Sequence, residues 1–236
     1  NQTAARGGSF SHKERRVAKL AFIGLGVMGF PVAGHLAAKG GHDVTVYNRT
    51  PAKAQAWVAK FGGESAGTPA EAAEGAEFVF SCVGDDPDLS EIALGSNGAF
   101  RSMGKGAVFV DHTTASAKIA RALAAEAKQR GFEFLDAPVS GGQAGAENGV
   151  LTVMVGGDGQ AFERVRPVIA NYARAVTLMG PCGAGQLTKM VNQICVVSVV
   201  QGLAEGMAFG LKAGLDMNLA LDVISKGAAT SWQMEN

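Results

Sequence analysis

The stretch Val17-Ala18-Lys19-Leu20-Ala21-Phe22-Ile23 runs directly into Gly24-Leu25-Gly26-Val27-Met28-Gly29. Behind it, residues 31–40 place their apolar side chains at helical spacing. Strand, tight turn and helix in this order form the first half of a βαβ dinucleotide site. Each glycine has its own task. Gly24 lets the chain turn sharply, Gly26 lets the backbone approach a pyrophosphate, and Gly29 lets helix pack on strand. The N–H groups and positive dipole end of the new helix then face the phosphates.

Working outward, strand and helix patterns alternate. Strands are expected at 43–47, 77–83, 107–111, 132–136, 151–155 and 175–178. Helices are expected at 51–61, capped by Thr50 with Pro51 in first position, from Asp86-Pro87 by the same cap chemistry, at 116–130 ended by Gly131, and near 161–173. A glycine-rich loop fills the interval up to Gly149. The spacing predicts an α/β, Rossmann-type domain: a largely parallel sheet covered on both faces. After Gly180-Pro181-Cys182-Gly183-Ala184-Gly185 the texture becomes helical, at about 186–213 and 218–226. Three segments result: a basic disordered tail at 1–16, a nucleotide-binding domain at 17–180, and the start of an all-α substrate and oligomerisation domain at 181–236.

Bulk composition narrows the class. Twenty-one basic residues balance 21 acidic ones, so no field recruits nucleic acid or an anionic membrane. A 47% hydrophobic content supports a sizeable core, and 33 glycines favour tight turns over a plain helix bundle. Three cysteines, Cys82, Cys182 and Cys195, read as reduced thiols of a cytoplasmic protein. The tail carries Arg6, His12, Lys13, Arg15 and Arg16 against Glu14, which also suits a short organelle-targeting remnant. The apolar run at 191–211 holds Asn192, Gln193, Gln201 and Glu205, so a buried helix of a soluble protein is expected.

Three sets of residues carry chemistry. The end of the second strand, where an NAD site places an acid, holds Asn48, followed by Arg49, Thr50 and then Lys53. Loss of the carboxylate removes repulsion toward a 2′-phosphate, and Arg49 can clamp it, so NADP is favoured over NAD. The second set is Asp136-Ala137-Pro138-Val139-Ser140-Gly141-Gly142. Ser140 with the N–H groups of Gly141 and Gly142 suits a carboxylate, although, taken alone, the stretch reads better as a plain glycine-rich turn. The third is Lys189 with Asn192 and Gln193, on one face near the start of the long helix. Burying a Lys and an Asn there is costly without a use; a Lys snorkelling to water is the ordinary alternative. Asp85, Asp86 and Asp88 lack a His or Cys partner at ligand spacing, so no metal is expected. His112, at a strand end, is a rival acid/base ranked behind Lys189.

Together, Gly24-Leu25-Gly26-Val27-Met28-Gly29, Asn48-Arg49-Thr50, Asp136 to Gly142 and Gly183-Ala184-Gly185-x-x-x-Lys189-x-x-Asn192 resemble the β-hydroxyacid dehydrogenase family. That family includes 3-hydroxyisobutyrate dehydrogenase and tartronate semialdehyde reductase. The resemblance implies hydride transfer between NADP(H) and a small 3-hydroxy acid or semialdehyde. It makes Lys189 the catalytic acid/base, Asn192 an orienting neighbour, and Ser140, Gly141 and Gly142 the holders of the substrate carboxylate. It places Thr113 beside the nicotinamide and Val83-Gly84-Asp85-Asp86 along the cofactor. Its partners would be a small carboxylate substrate and further copies of the chain, as a homodimer or homotetramer. The family carries a later Lys-Asp segment that nothing after Lys226 supplies, so the helical domain reads as incomplete. An imine or other carbonyl reductase, and a non-catalytic NADP-binding scaffold, are the competing readings.

Overall fold

The computed structural model describes residues 17–235; the basic tail expected at 1–16 lies outside them. In chain order the elements are β1 (Lys19–Ile23), α1 (Gly29–Ala38), β2 (Asp43–Tyr47), α2 (Pro51–Phe61), β3 (Glu64–Ser65), α3 (Pro69–Ala73), β4 (Phe78–Ser81), α4 (Asp86–Leu94) and β5 (Val108–Asp111). There follow α5 (Ala117–Arg130), β6 (Glu133–Asp136), β7 (Val139–Ser140), α6 (Gly142–Glu147), β8 (Leu151–Gly156), α7 (Gly159–Ile169) and β9 (Ala173–Gly180). The chain then turns helical with α8 (Ala184–Lys212), α9 (Met217–Ile224) and α10 (Trp232–Glu235).

The strands form one sheet in the order β3-β2-β1-β4-β5-β6-β8-β7, with β9 on β8. From β3 to β6 every pairing is parallel, while β8 joins β6 and β7 antiparallel. The order reverses between β1 and β4, and the crevice at the carboxyl ends of those strands is where open α/β sheets bind ligands. Strand alternation splits the core in two. Leu20, Phe22, Phe78, Phe80 and Val110 face Trp57, Leu36 and Tyr172 on one side. Ala21, Ile23, Val79 and Phe109 face Leu89, Leu123 and Phe132 on the other. Both faces are thus buried under helices, which explains the near-continuous apolar strands.

Several expectations need correction. Thr50 is the N-cap of α2, but its side chain makes no cap hydrogen bond; Pro51 alone sets that start. The cap of α4 is Asp85, which accepts from Asp88 N–H, and not Asp86. Asp86 instead accepts from the backbone N–H of Ser116, the cap of α5. The interval up to Gly149 is not all loop, for it contains β7 and α6. The largest departure is α8, expected to be buried. Only Gly185, Gln186, Lys189 and Gly210 are buried along it, and Val191, Ile194, Val197 and Phe209 are each more than 60% exposed. The cause is its composition: apolar side chains run all round this helix, and the sheet covers only its first turns.

Candidate active site

The turn after β1 is built as its glycines require. Gly24 has φ +97°, and a Cβ there would strike the Cys82 carbonyl. A Cβ on Gly29 would strike the Gly24 carbonyl and the Phe22 ring, whereas Gly26 has nothing within 4 Å and opens outward. Two bonds bind the turn to β2: Gly24 N–H donates to the Tyr47 carbonyl at 2.8 Å, and Leu25 N–H donates to Asn48 Oδ1 at 2.9 Å. The Asn48 amide also donates to the Thr50 carbonyl at 3.1 Å, so this side chain serves as a brace. At the start of α1 no side chain caps the helix and no acid stands in its first turn. That leaves its N–H groups and positive dipole end for an anion.

In front of this turn lies a cleft of about 600 Å³. It is lined by Gly24, Gly26, Val27 and Met28, by Asn48, Arg49, Thr50 and Lys53, and by Val83 and Gly84. Its size lies within the range of cofactor sites. Gly26 leaves open the space a pyrophosphate needs, so the residues fit a dinucleotide. Five residues expected along the cofactor, Leu25, Gly29, Asp85, Asp86 and Thr113, do not line the cleft. Leu25 is buried, Asp85 is turned into its helix cap, and Thr113 is buried with its hydroxyl accepting from Val83 N–H at 3.0 Å. The cleft also takes in residues the sequence reading passed over, notably Thr68, Pro69, Glu91 and Asn97. Thr68-Pro69 repeats the Thr50-Pro51 pattern and could have been found from it. Arg49, at the rim, pairs with Asp88 at 3.2 Å, its side chain largely in solvent.

A polar row crosses the carboxyl edge of the sheet next to the cleft. Ser81, Asp111, Asp136 and Gly156 stand in register on β4, β5, β6 and β8. Asp111 Oδ1 accepts from the Ser81 hydroxyl at 2.8 Å and from Thr113 N–H at 3.1 Å, while Oδ2 has no hydrogen-bond partner among the described residues. Complete burial pushes this carboxyl up to about 7. Asp136 reaches into the helical half: its two oxygens accept from Gly183 N–H at 2.7 Å and Gln186 N–H at 2.8 Å. It thereby takes up orphan donors at the start of α8. Gln186, fully buried, donates from Nε2 to the Thr113 carbonyl at 2.7 Å and accepts from Ala115 N–H at 3.1 Å. None of these roles was visible in the sequence.

Lys189 stands one turn further along α8. It is buried, forms no hydrogen bond or ion pair with a described residue, and burial lowers its ammonium below the ordinary 10.5. Asn192 is half-buried and donates to the amide oxygen of exposed Gln193 at 3.0 Å. Ser140 is half-buried at the end of β7, and Gly141 and Gly142 follow it in left-handed conformations, φ +129° and +62°, exposed. Neither Lys189 and Asn192 nor Ser140, Gly141 and Gly142 line the 600 Å³ cleft. The link from cleft to Lys189 runs through Val83, Thr113 and Gln186.

His112 is removed as a rival acid/base. Its Nδ1 stands 2.6 Å from the Ala137 carbonyl and its Nε2 2.8 Å from the Tyr172 hydroxyl. The carbonyl only accepts, so Nδ1 carries the proton and Nε2 accepts from Tyr172. Stacked on Phe80 and buried, the imidazole is pushed down to about 4.

Two family models match the chain. The NAD binding domain of 6-phosphogluconate dehydrogenase matches residues 19–180, and the NAD-binding region of NADP-dependent 3-hydroxyisobutyrate dehydrogenase matches residues 183–236. An uncharacterized oxidoreductase of Shewanella frigidimarina is 63% identical over 93% of this chain and 75% of its own. The 2-hydroxy-3-oxopropionate reductase of Escherichia coli is 36% identical over 92% of this chain and 73% of its own. Among solved structures, a Mycobacterium tuberculosis 3-hydroxyisobutyrate dehydrogenase with L-serine superposes with a TM-score of 0.83 at 30% identity. That likeness covers 92% of this chain and 73% of the other.

Proposed function

This chain belongs to the β-hydroxyacid dehydrogenase family, and from that membership we propose that it interconverts a small 3-hydroxy acid and its semialdehyde using NADP(H), with Lys189 as general acid/base. As an NAD(P)-dependent oxidoreductase it acts on hydroxyl groups; coenzyme, substrate and the role of Lys189 form the proposal.

The observation that carries it is Lys189: an ammonium buried with no anion paired to it among the described residues, on a helix start bonded to the loop after β5. Burial of an unpaired cation is expensive and reflects use. The cofactor, when bound, supplies or accepts the hydride. In reduction, the Lys189 ammonium donates a hydrogen bond to the substrate carbonyl oxygen, stabilises the charge growing there and delivers its proton. In the reverse direction its lowered pKa helps it remove the hydroxyl proton. Ser140 and the N–H groups of Gly141 and Gly142 would hold the carboxylate, with Asn192 alongside. L-serine, the molecule named with the mycobacterial relative, is itself a carboxylate bearing a 3-hydroxyl.

For the coenzyme, Gly24 to Gly29 and the start of α1 would take the pyrophosphate, and Arg49 with Lys53 the 2′-phosphate. The Arg49–Asp88 pair is exposed, so its release costs at most about 1 kcal/mol. Replacement of the usual acid by Asn48 supports NADP over NAD. We also propose that a second copy covers the apolar surface of α8 and α9, giving a homodimer or homotetramer.

The test is NADPH oxidation, with NADH in parallel, against a panel of small semialdehydes with and without a carboxylate. Turnover is expected with the carboxylate-bearing members and NADPH. Lys189→Ala is expected to lower kcat by about 10²–10⁴-fold while NADPH binding stays. Tight NADPH binding with no turnover on any member would favour the scaffold reading, and near-normal turnover in the variant would remove Lys189 from the reaction.

A further inference from the structure

We infer that Gln186 is a positioning residue for this reaction: it locks the first turn of α8 to the backbone after β5 and so sets where the Lys189 ammonium stands. The inference rests on the reading of Lys189 as acid/base given above.

Asp136 and the glycines around it fix how closely the helix start approaches the sheet. Its carboxylate takes the N–H groups of Gly183 and Gln186. A Cβ on Gly185 would strike the Met154 and Asp136 carbonyls, and one on Gly156 would strike the Asp136 carboxylate and the backbone nitrogens of Ala184 and Gly185. These contacts seat the end of the helix on the sheet, with Gly185 against β6 and β8.

The Gln186 side chain adds the tie to the loop after β5. It leaves the helix sideways and makes two hydrogen bonds, 2.7 Å to the Thr113 carbonyl and 3.1 Å from Ala115 N–H, with backbone 73 and 71 residues away. Thr113 is itself held twice, through its N–H on Asp111 and its hydroxyl on Val83 N–H. Val83 lines the cofactor cleft. Lys189 follows Gln186 at i+3, on the same face and ~4.5 Å further along the axis. A rotation of the helix start would therefore swing the ammonium away from the loop after β5.

The chemistry selects glutamine. The site needs one donor and one acceptor on a single flat group at that reach, and an amide provides both. Methionine of similar length provides neither. Glutamate keeps an acceptor for Ala115 N–H but sets a carboxylate oxygen against the Thr113 carbonyl.

The experiment compares Gln186→Met, Gln186→Glu and Lys189→Ala by steady-state kinetics, NADPH binding and thermal melting. A displacement of about 1 Å costs on the order of 10²-fold in rate, so Gln186→Met is expected to lower kcat by about that factor. NADPH affinity should stay unchanged. Gln186→Glu, which retains the Ala115 bond, is expected to fold and to lose kcat in the same selective way. Wild-type kcat in either folded variant would overturn the inference, as would parallel losses of kcat, NADPH affinity and melting temperature in both. The two failures are distinguishable. Full turnover in Lys189→Ala refutes the acid/base reading, whereas a dead Lys189→Ala beside an unaffected Gln186→Met refutes only the positioning role.

Discussion

Asp111 and His112 are neighbours in the chain and titrate in opposite senses once folded. Burial raises the Asp111 carboxyl from 3.8 to about 7 and lowers the His112 imidazole from 6.5 to about 4. Between those His112 values the native state binds one proton fewer than the unfolded chain, so stability rises with pH. Between the Asp111 values it binds one more, so stability falls. The two effects offset one another up to about pH 6.5, and above that the loss at Asp111 acts alone. Asp111→Asn keeps an oxygen for Ser81 and Thr113 and removes one arm of the balance. Relative to wild type, urea unfolding of this variant is expected to gain stability from pH 4 toward 7, with a slope near 1.4 kcal/mol per pH unit, about the value for one proton. Identical pH dependence in both proteins would show that Asp111 does not titrate as described. Sequence places His112 at a strand end, and it directly follows β5, but it is buried and does not line the cleft. Sequence cannot show the Ala137 carbonyl and the Tyr172 hydroxyl, which come from 25 and 60 residues away and make the ring structural.

Among the elements, α8 depends most on contacts that sequence does not display. Its glycines Gly183 and Gly185 stand in the sequence as one motif but have separate physical reasons: Gly183 holds a left-handed backbone, φ +92°, while Gly185 lies against the carbonyls of Met154 and Asp136. Gly185→Ala is expected to cost about 1–3 kcal/mol, because backbone and a held carboxylate cannot yield to the new methyl group. Gly202, further along the same helix, has nothing within 4 Å of an added Cβ. Gly202→Ala is therefore expected to be neutral or to stabilise by roughly 0.5–1 kcal/mol. Chemical denaturation of the two variants checks the contrast, and equal effects would contradict this account of the helix start. The strand–turn–helix at residues 19–38 was legible because local glycines and periodicity determine it. By contrast, β7 and α6 were missed because Ser140 to Gly149 is short and glycine-rich, and pairing with β8 is what orders its first residues.

At the scale of the molecule, the sheet half closes on itself while the helical half does not. The side chains of Val191, Ile194, Val197, Phe209 and Leu219 are each largely exposed, an apolar face of the kind that marks an interaction surface. Light scattering is expected to give a dimer or tetramer, and Val197→Asp to weaken it; a monodisperse monomer would refute the proposed assembly. The sheet half presents the cleft, and the helical half presents one buried ammonium through Gln186 and Asp136. The account holds only if that ammonium exchanges its proton with substrate. The most direct measurement is the pH dependence of kcat/KM for NADP-linked oxidation of the 3-hydroxy acid, in wild type and in Lys189→Ala. The account predicts a wild-type rise toward alkaline pH with an apparent pKa below 10.5, absent from a variant that has lost most of its rate. The same rise at near-normal rate in Lys189→Ala would contradict it.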